Sequence, residues 1–325
     1  MDVNGDGRND VIIGVAGYDY PGEELDIEDA GSFMVYFGRP AASDGTTQVL
    51  CEPNLVYVNK TEVIETRLGS AAAIVGSIDG DSCDEVLVGA DGDFDLEVRE
   101  GLVWVVRGWG GLDCPSAPEV AVLASHIRRA HLGSVLYAGG DYDGDGLNDV
   151  VVGNPDFVTE GLPSGGLWLV PGVHLASLPT EPLGLERPQT FHPLVMPGAS
   201  PLLLRAIGTT GDGQFGRDVA AVPHADGGAR DALLVGIPFG KAGGSLQSGG
   251  ALVLEVKGVF GDDDYGFDPV PVALFGGESS RSGSQFGAAV GGGLLDGQPW
   301  VVIGGPEASA VTMDNGAIAS FPLVR

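Results

Sequence analysis

One kind of stretch constrains the fold of this chain more than any other: alternating acidic and turn-forming residues that run straight into a short β-branched segment. Gly140 to Pro155, GDYDGDGLNDVVVGNP, is the clearest copy. Asp141, Asp143, Asp145 and Asp149 stand at loop positions 1, 3, 5 and 9, where carboxylates converge on one hard cation. The backbone carbonyl of Leu147 at position 7 adds an oxygen, and Gly146 allows the sharp turn at position 6. That is a calcium loop by composition and spacing. In an EF-hand, position 12 would be a bidentate Glu in a following helix. Here it is Val152, inside a β-branched run closed by Gly153, so the loop feeds a strand.

The unit recurs. DVNGDGRNDVIIG begins at Asp2 and offers Asp2, Asn4, Asp6 and Asp10, with the Arg8 carbonyl at position 7. SIDGDSCDEVLVG begins at Ser77 and offers Ser77, Asp79, Asp81 and Glu85, with the Cys83 carbonyl at position 7. Its poorer first position predicts weaker binding. Two decayed copies end at Gly236 and Gly304. They retain only Asp226 and Asp231, and Asp296, so no metal is expected there. The expectation is Ca2+ in loops one and three, with a weaker third site in loop two. An ion-free loop of Asx turns accounts poorly for four converging carboxylates, which repel one another without a cation.

Each strand-ending glycine (Gly14, Gly89, Gly153, Gly236, Gly304) is followed by a second short apolar run, and four of the five loops are preceded by a Gly-small-apolar segment such as LGSAAAIVG at 68–76. A fixed element order repeated in this way is the signature of a repeat array or propeller. Three motifs recur in that order: an FG-type start (Phe215-Gly216, Phe286-Gly287, with Leu-Gly in the others), the D-x-D-G-D-G loop, and a V-G-x-P-type ending at Pro155, Pro238 and Pro306. Together they resemble the FG-GAP repeats of integrin α-subunits and their bacterial relatives, over nearly the whole chain. The resemblance implies an all-β propeller in which each repeat supplies a four-stranded blade. It places calcium between the first and second strands, and ligands on the opposite face, at the loops between strands 2 and 3 and between blades.

On that basis the chain is expected to be a single β-propeller over 1–325, with repeats at approximately 1–60, 61–125, 126–207, 208–278 and 279–325. The first repeat lacks its opening strand and the last its closing one. The chain therefore reads as an internal piece of a longer, seven-bladed propeller, with a closed five-bladed ring as the alternative.

Composition narrows the function. Sixteen basic against 45 acidic residues leave a net charge of -29, which excludes nucleic acid as an expected partner. The glycine content, 55 of 325, fits many tight turns; helical signal is confined to 125–131 and 173–178. No apolar run reaches 18 residues, so no transmembrane helix is expected, and no signal peptide is visible in a sequence that enters its first acidic loop at Asp2. An extracellular or cell-surface location is expected, with any export signal lost along with a missing N-terminus. Cys51, Cys83 and Cys114 leave one pair or three free thiols open.

No G-x-S-x-G elbow, H-E-x-x-H pair, P-loop or Cys-x-x-Cys site is present, so an enzyme is not expected. The expected function is a calcium-binding recognition or adhesion module for a protein or glycan ligand at the cell surface. The alternatives are a propeller-based hydrolase or lyase acting on surface glycans or lipids, and a structural spacer in a large secreted protein. Candidate ligand contacts are Tyr18 and Tyr20 in the first 2–3 loop, and Arg128, Arg129 and His131 in the one basic cluster. Asp91, Asp93 and Asp95 offer a further acidic run at alternate positions.

Overall fold

The computed structural model describes residues 1–21, 26–40, 52–60, 66–92, 101–124, 131–159, 162–163, 165–184, 191–193, 213–224, 228–240, 249–257, 268–276, 285–306 and 317–323. They fall into two compact units, Met1–Ala138 with Gly172–Leu194, and Gly139–Pro171 with Val195–Arg325.

In the first unit, β1 (Val11–Val15), β2 (Ser32–Tyr36) and β3 (Leu55–Val58) make an antiparallel meander. A second meander follows: β4 (Leu68–Gly76), β5 (Glu85–Ala90), β6 (Leu102–Val106) and β7 (Glu119–Ala124). The chain passes to the second unit within β8 (Val135–Gly140), the first strand of the third sheet. There β9 (Asp149–Asn154) leads through a small hairpin of β10 (Val158–Thr159) and β11 (Leu162–Pro163) to β12 (Gly166–Val170), which pairs antiparallel with β9.

The chain then returns to the first unit as the short helix α1 (Gly172–Ser177), β13 (Glu181–Pro182) and β14 (Phe191–Pro193). Both strands add to the outer edge of β7, β13 antiparallel and β14 parallel. Proline is tolerated at such an edge because no inner ladder needs its missing N–H. The second unit continues with β15 (Val219–Val222), β16 (Ala232–Ile237), β17 (Gly250–Lys257) and β18 (Asp268–Gly276), and then β19 (Ala289–Leu295), β20 (Gln298–Gly305) and β21 (Ala317–Pro322).

The chain is thus all-β, made of antiparallel blade-type sheets in the expected order. Every loop-to-strand run is a second strand (β1, β5, β9, β16, β20), and every following apolar run is a third (β2, β6, β12, β17, β21). Among the described residues, the first sheet starts at its second strand and the fifth ends at its third. The second strands β5, β9 and β16 are buried along their whole length, on both faces. That is why their sequences are unbroken apolar runs and not an alternation.

In the first unit the two meanders pack face to face. Ile12, Phe33, Val35 and Tyr57 meet Val86, Val88, Trp104, Val106 and Val122 in one apolar layer. The Tyr57 and Trp104 ring centroids are 5.1 Å apart, an arrangement that adds to simple area burial. What lets the sheets approach so closely is glycine. The residue ahead of a third strand bridges the FG-type residue of the next sheet in parallel: Gly31 with Leu68, Gly101 with Leu132, Gly249 with Phe286. Beside this bridge, a Cβ built on Gly89 would overlap the carbonyl oxygen of Gly133. Gly14 meets Gly69, and Gly236 meets Gly287, in the same way. The glycine that closes one strand and the glycine that follows Leu or Phe in the next repeat are two halves of one contact.

The obstacle to a side chain there is backbone, which cannot rotate away. Gly89→Ala is therefore expected to lower the stability of the chain by about 3 kcal/mol, the upper part of the overpacking range, in urea unfolding. A loss below about 1 kcal/mol would show that the sheets part without cost at this point.

Candidate metal loops

Each intact loop is folded by its own carboxylates. In loop three, both oxygens of Asp141 accept backbone N–H groups, from Gly144 at 2.7 Å and Gly146 at 3.0 Å. Asp143 accepts from Asp145 N–H and Asp145 from Leu147 N–H. Asp149, fully buried at the head of β9, accepts from Tyr142 N–H at 2.9 Å. Loop one repeats the scheme: Asp2 accepts from Asp6 and Gly7, Asp6 from Arg8, and Asp10 from Val3 at 2.7 Å and Gly38 at 2.7 Å. Loop two keeps it in part. Asp79 accepts from Asp81 N–H, Asp81 from Cys83 N–H, and Glu85 from Ile78 N–H. Ser77, with no carboxylate to offer, instead donates its hydroxyl to the Asp81 carbonyl at 2.8 Å.

These turns bring charges together. In loop three, ligand oxygens of Asp141, Asp143 and Asp149 lie within 4.8 Å of one another, and in loop two so do those of Asp79, Asp81 and Glu85. Loop one does not form such a group. There Arg8 turns back to pair with Asp6 at 2.8 Å, an exposed contact of small energetic weight. Burial raises the carboxyl of Asp143 above its ordinary range. The Asp145 N–H works against that rise, while the charges of Asp145 and Asp141 add to it. Asp10 and Asp81 are raised for the same leading reason. Glu85 moves furthest, pushed up to about 8 by burial, with Asp79 and Asp81 adding to the rise and Ile78 N–H and Arg107 opposing it. Its Oε1 is buried without a hydrogen-bond partner.

Neighbouring loops brace one another through an aspartate that is not one of the expected metal ligands of its own loop. Asp84 and Asp231 both stand five places ahead of a strand-ending glycine. Asp84 N–H donates to the Asp2 carbonyl, and its carboxylate accepts from Asp2 N–H. Asp231 does the same for Asp141. The decayed fourth loop has kept this aspartate, which serves as a brace to loop three.

The cysteines resolve into one pair among the described residues. Cys83 and Cys114 form a disulfide that ties position 7 of loop two to the turn between β6 and β7. Cys51 lies outside the described residues. Arg107, buried at the end of β6, donates to the carbonyls of Leu175 and Ala176 and so holds α1. Spacing in the sequence signals neither arrangement.

At the other end of the sheets, Tyr18 and Tyr20 lie half-buried in the loop between β1 and β2, with the Lys60 ammonium 5.4 Å above the Tyr20 ring. His131, in a left-handed conformation (φ 43°), places Nδ1 3.0 Å from the Asp91 carbonyl. Arg67 pairs with the Asp91 carboxylate at 3.7 Å. Arg128, Arg129, Asp93 and Asp95 lie outside the described residues.

Sheets that begin with Leu-Gly or Phe-Gly, carry an acidic loop ahead of the second strand and lock through glycine are FG-GAP-like. The FG-GAP repeat family model matches residues 133–169, which contain loop three whole. The chain is integrin-α-like: it is 34% identical over 90 residues to integrin alpha-X of Mus musculus, which is 27% of this chain and 7% of that protein. It is 27% identical over 154 residues to integrin alpha-5 of Xenopus laevis, 47% of this chain and 14% of that protein. It is also 27% identical over 169 residues to integrin alpha pat-2 of Caenorhabditis briggsae, 47% of this chain and 12% of that protein. The matches thus span a small fraction of these relatives' length.

The folded Glu85 carboxyl titrates near 8 against an ordinary value of 4.5, so the folded chain holds one more proton than the unfolded chain between those values. In the absence of divalent cations, the melting temperature is expected to fall as pH rises from about 5 to about 8, and Glu85→Gln should flatten that slope. An identical slope in the variant would assign the effect to other groups.

Proposed function

We propose that this chain is a calcium-stabilised recognition module in which cations rigidify one end of the sheets and the opposite end meets a protein or glycan ligand. The observation that carries this reading is the convergence of Asp141, Asp143 and Asp149, the last two buried, in a loop whose turns aim several oxygens at one region. All the donors are oxygens and several are charged, which suits a hard cation with flexible geometry. Asp141, Asp143, Asp145, the Leu147 carbonyl and Asp149 hold the ion in loop three. Asp2, Asn4, Asp6, the Arg8 carbonyl and Asp10 form the site in loop one. Ser77, Asp79, Asp81, the Cys83 carbonyl and Glu85 form a weaker one in loop two. The ion supplies positive charge that offsets mutual carboxylate repulsion; it takes part in no reaction.

Similarity to integrin α-subunits supports the adhesion-type reading, and the Cys83–Cys114 disulfide fits an extracellular or cell-surface setting, where such bonds persist. Among the described residues no helix is long and apolar enough to cross a membrane. Tyr18, Tyr20 and His131 belong to loops at the end of the sheets away from the acidic loops, and aromatic surface with a polar tip there supports a role in ligand contact. A longer propeller, with this chain as one part of it, is the architecture in which these blades act.

Asp143→Asn keeps the shape of the side chain and removes its charge. In thermal unfolding with calcium titrated into chelator-treated protein, the variant is expected to bind one ion fewer. It should lose that part of the calcium-induced rise in midpoint while melting no lower than the parent without calcium. Equal ion counts in the two proteins would remove loop three from the reading.

A further inference from the structure

We propose that the Cys83–Cys114 disulfide sets the cation affinity of loop two, so that its reduction by a dithiol weakens binding there and a bound cation in turn protects the bond. The inference rests on the calcium reading above and adds a regulator to one of its sites.

Loop two carries the least complete ligand set of the three, because Ser77 replaces the carboxylate at position 1. What it has in place of that carboxylate is a covalent clip. Cys83 contributes its carbonyl at position 7, its N–H holds the Asp81 carboxylate at 2.7 Å, and its side chain is fully buried in the disulfide. Glu85, two residues on, keeps a buried Oε1 with no partner beside Asp79 and Asp81. The other half of the clip is equally well seated. Cys114 stands in the turn between β6 and β7, which is closed by Gly110 N–H to the Pro115 carbonyl and tied to loop one by Trp109 N–H to the Val3 carbonyl. Gly111 lies against Cys114 Sγ and the Asn4 carbonyl, and Gly5 against Cys83 Sγ. The bond therefore fixes the position-7 residue of a weak site to two neighbouring segments at once. Opening it frees Cys83, and with it the carbonyl that is one ligand and the N–H that orients another, the Asp81 carboxylate.

The step is an ordinary exchange. A thiolate of the dithiol attacks Cys114 Sγ, the half-buried sulfur, and forms a mixed disulfide; Cys83 leaves as a thiolate and takes up a proton. The second thiol of the reagent then closes on the first, releasing Cys114 as a thiol. One protein disulfide and one dithiol become two protein thiols and one cyclic disulfide.

Calcium titration of the oxidised and the dithiothreitol-reduced chain, with Glu85→Gln and Asp143→Asn marking the loop-two and loop-three ions, tests this. The Glu85-dependent ion is expected to bind at least tenfold more weakly after reduction, and the Asp143-dependent ion with unchanged affinity. By reciprocity the same tenfold factor appears in the redox equilibrium, so saturating calcium makes the potential of the pair about 30 mV more negative. Cys114→Ala, which opens the clip at its more accessible end, must reproduce the loss with the far-ultraviolet dichroism of the parent. Equal Glu85-dependent affinity in both redox states overturns the inference, as does equal weakening of both ions, which would mean general loosening. An oxidised chain that binds the Asp143-dependent ion but none that depends on Glu85 also overturns it, while leaving the calcium reading of loop three intact. A chain that binds no ion in either state overturns both.

Discussion

A buried carboxylate at or just ahead of the second strand joins sheet to loop wherever the loop is intact. Asp10, Glu85 and Asp149 each reach back seven residues to the second loop residue and accept its N–H. That single bond closes the loop onto the strand, and the inward-turned oxygens follow from it. It also creates the problem that a cation solves. A carboxylate removed from water beside two others is costly in its charged form, so the same bond that shapes the loop makes its ion-free state electrostatically unfavourable. On the proposed reading, fold and metal binding are two consequences of one placement.

The parts of this architecture visible in the sequence are those in which one residue type has a local job. Val150-Val151-Val152 reads as a strand because both its faces are buried, and Gly153 as its end. The Leu-Gly and Phe-Gly pairs mark first strands because the glycine must meet backbone from the sheet before it. The outer strands β3, β7 and β18 carry no such mark. They are the fourth strands of their sheets and need only be apolar and extended, a requirement that many sequences meet. The additions to the edge of β7 were equally hidden. β13 and β14 find their partner about 60 to 70 residues back, which no local pattern encodes. The disulfide was hidden for the same reason: three cysteines allow a pair, and only the meeting of loop two with the β6–β7 turn selects it.

Asp84 and Asp231 carry the same lesson for the loops themselves. Read as ligands, the acids of the fourth loop are remnants. Read as contacts, Asp231 supports Asp141 of an adjacent, intact loop through two hydrogen bonds. Motif scoring treats each repeat as a separate site, whereas the sheets share their loops with their neighbours. The shape of one loop is therefore a property of two repeats, and decay of the motif in one of them does not mean decay of its role.

The net charge of -29 sharpens what such a design requires of its surroundings. Most of the 45 acidic residues lie outside the three acidic loops in the sequence and raise the general negative potential in which those loops sit. That potential attracts divalent ions to the surface of the chain. The clip between Cys83 and Cys114 adds a second requirement, an oxidising setting. If the calcium reading holds, a chain that needs both is held at full rigidity only where free calcium and disulfides coexist. On the proposed reading its opposite, ligand-facing loops are supported by sheets whose stiffness is itself conditional on location.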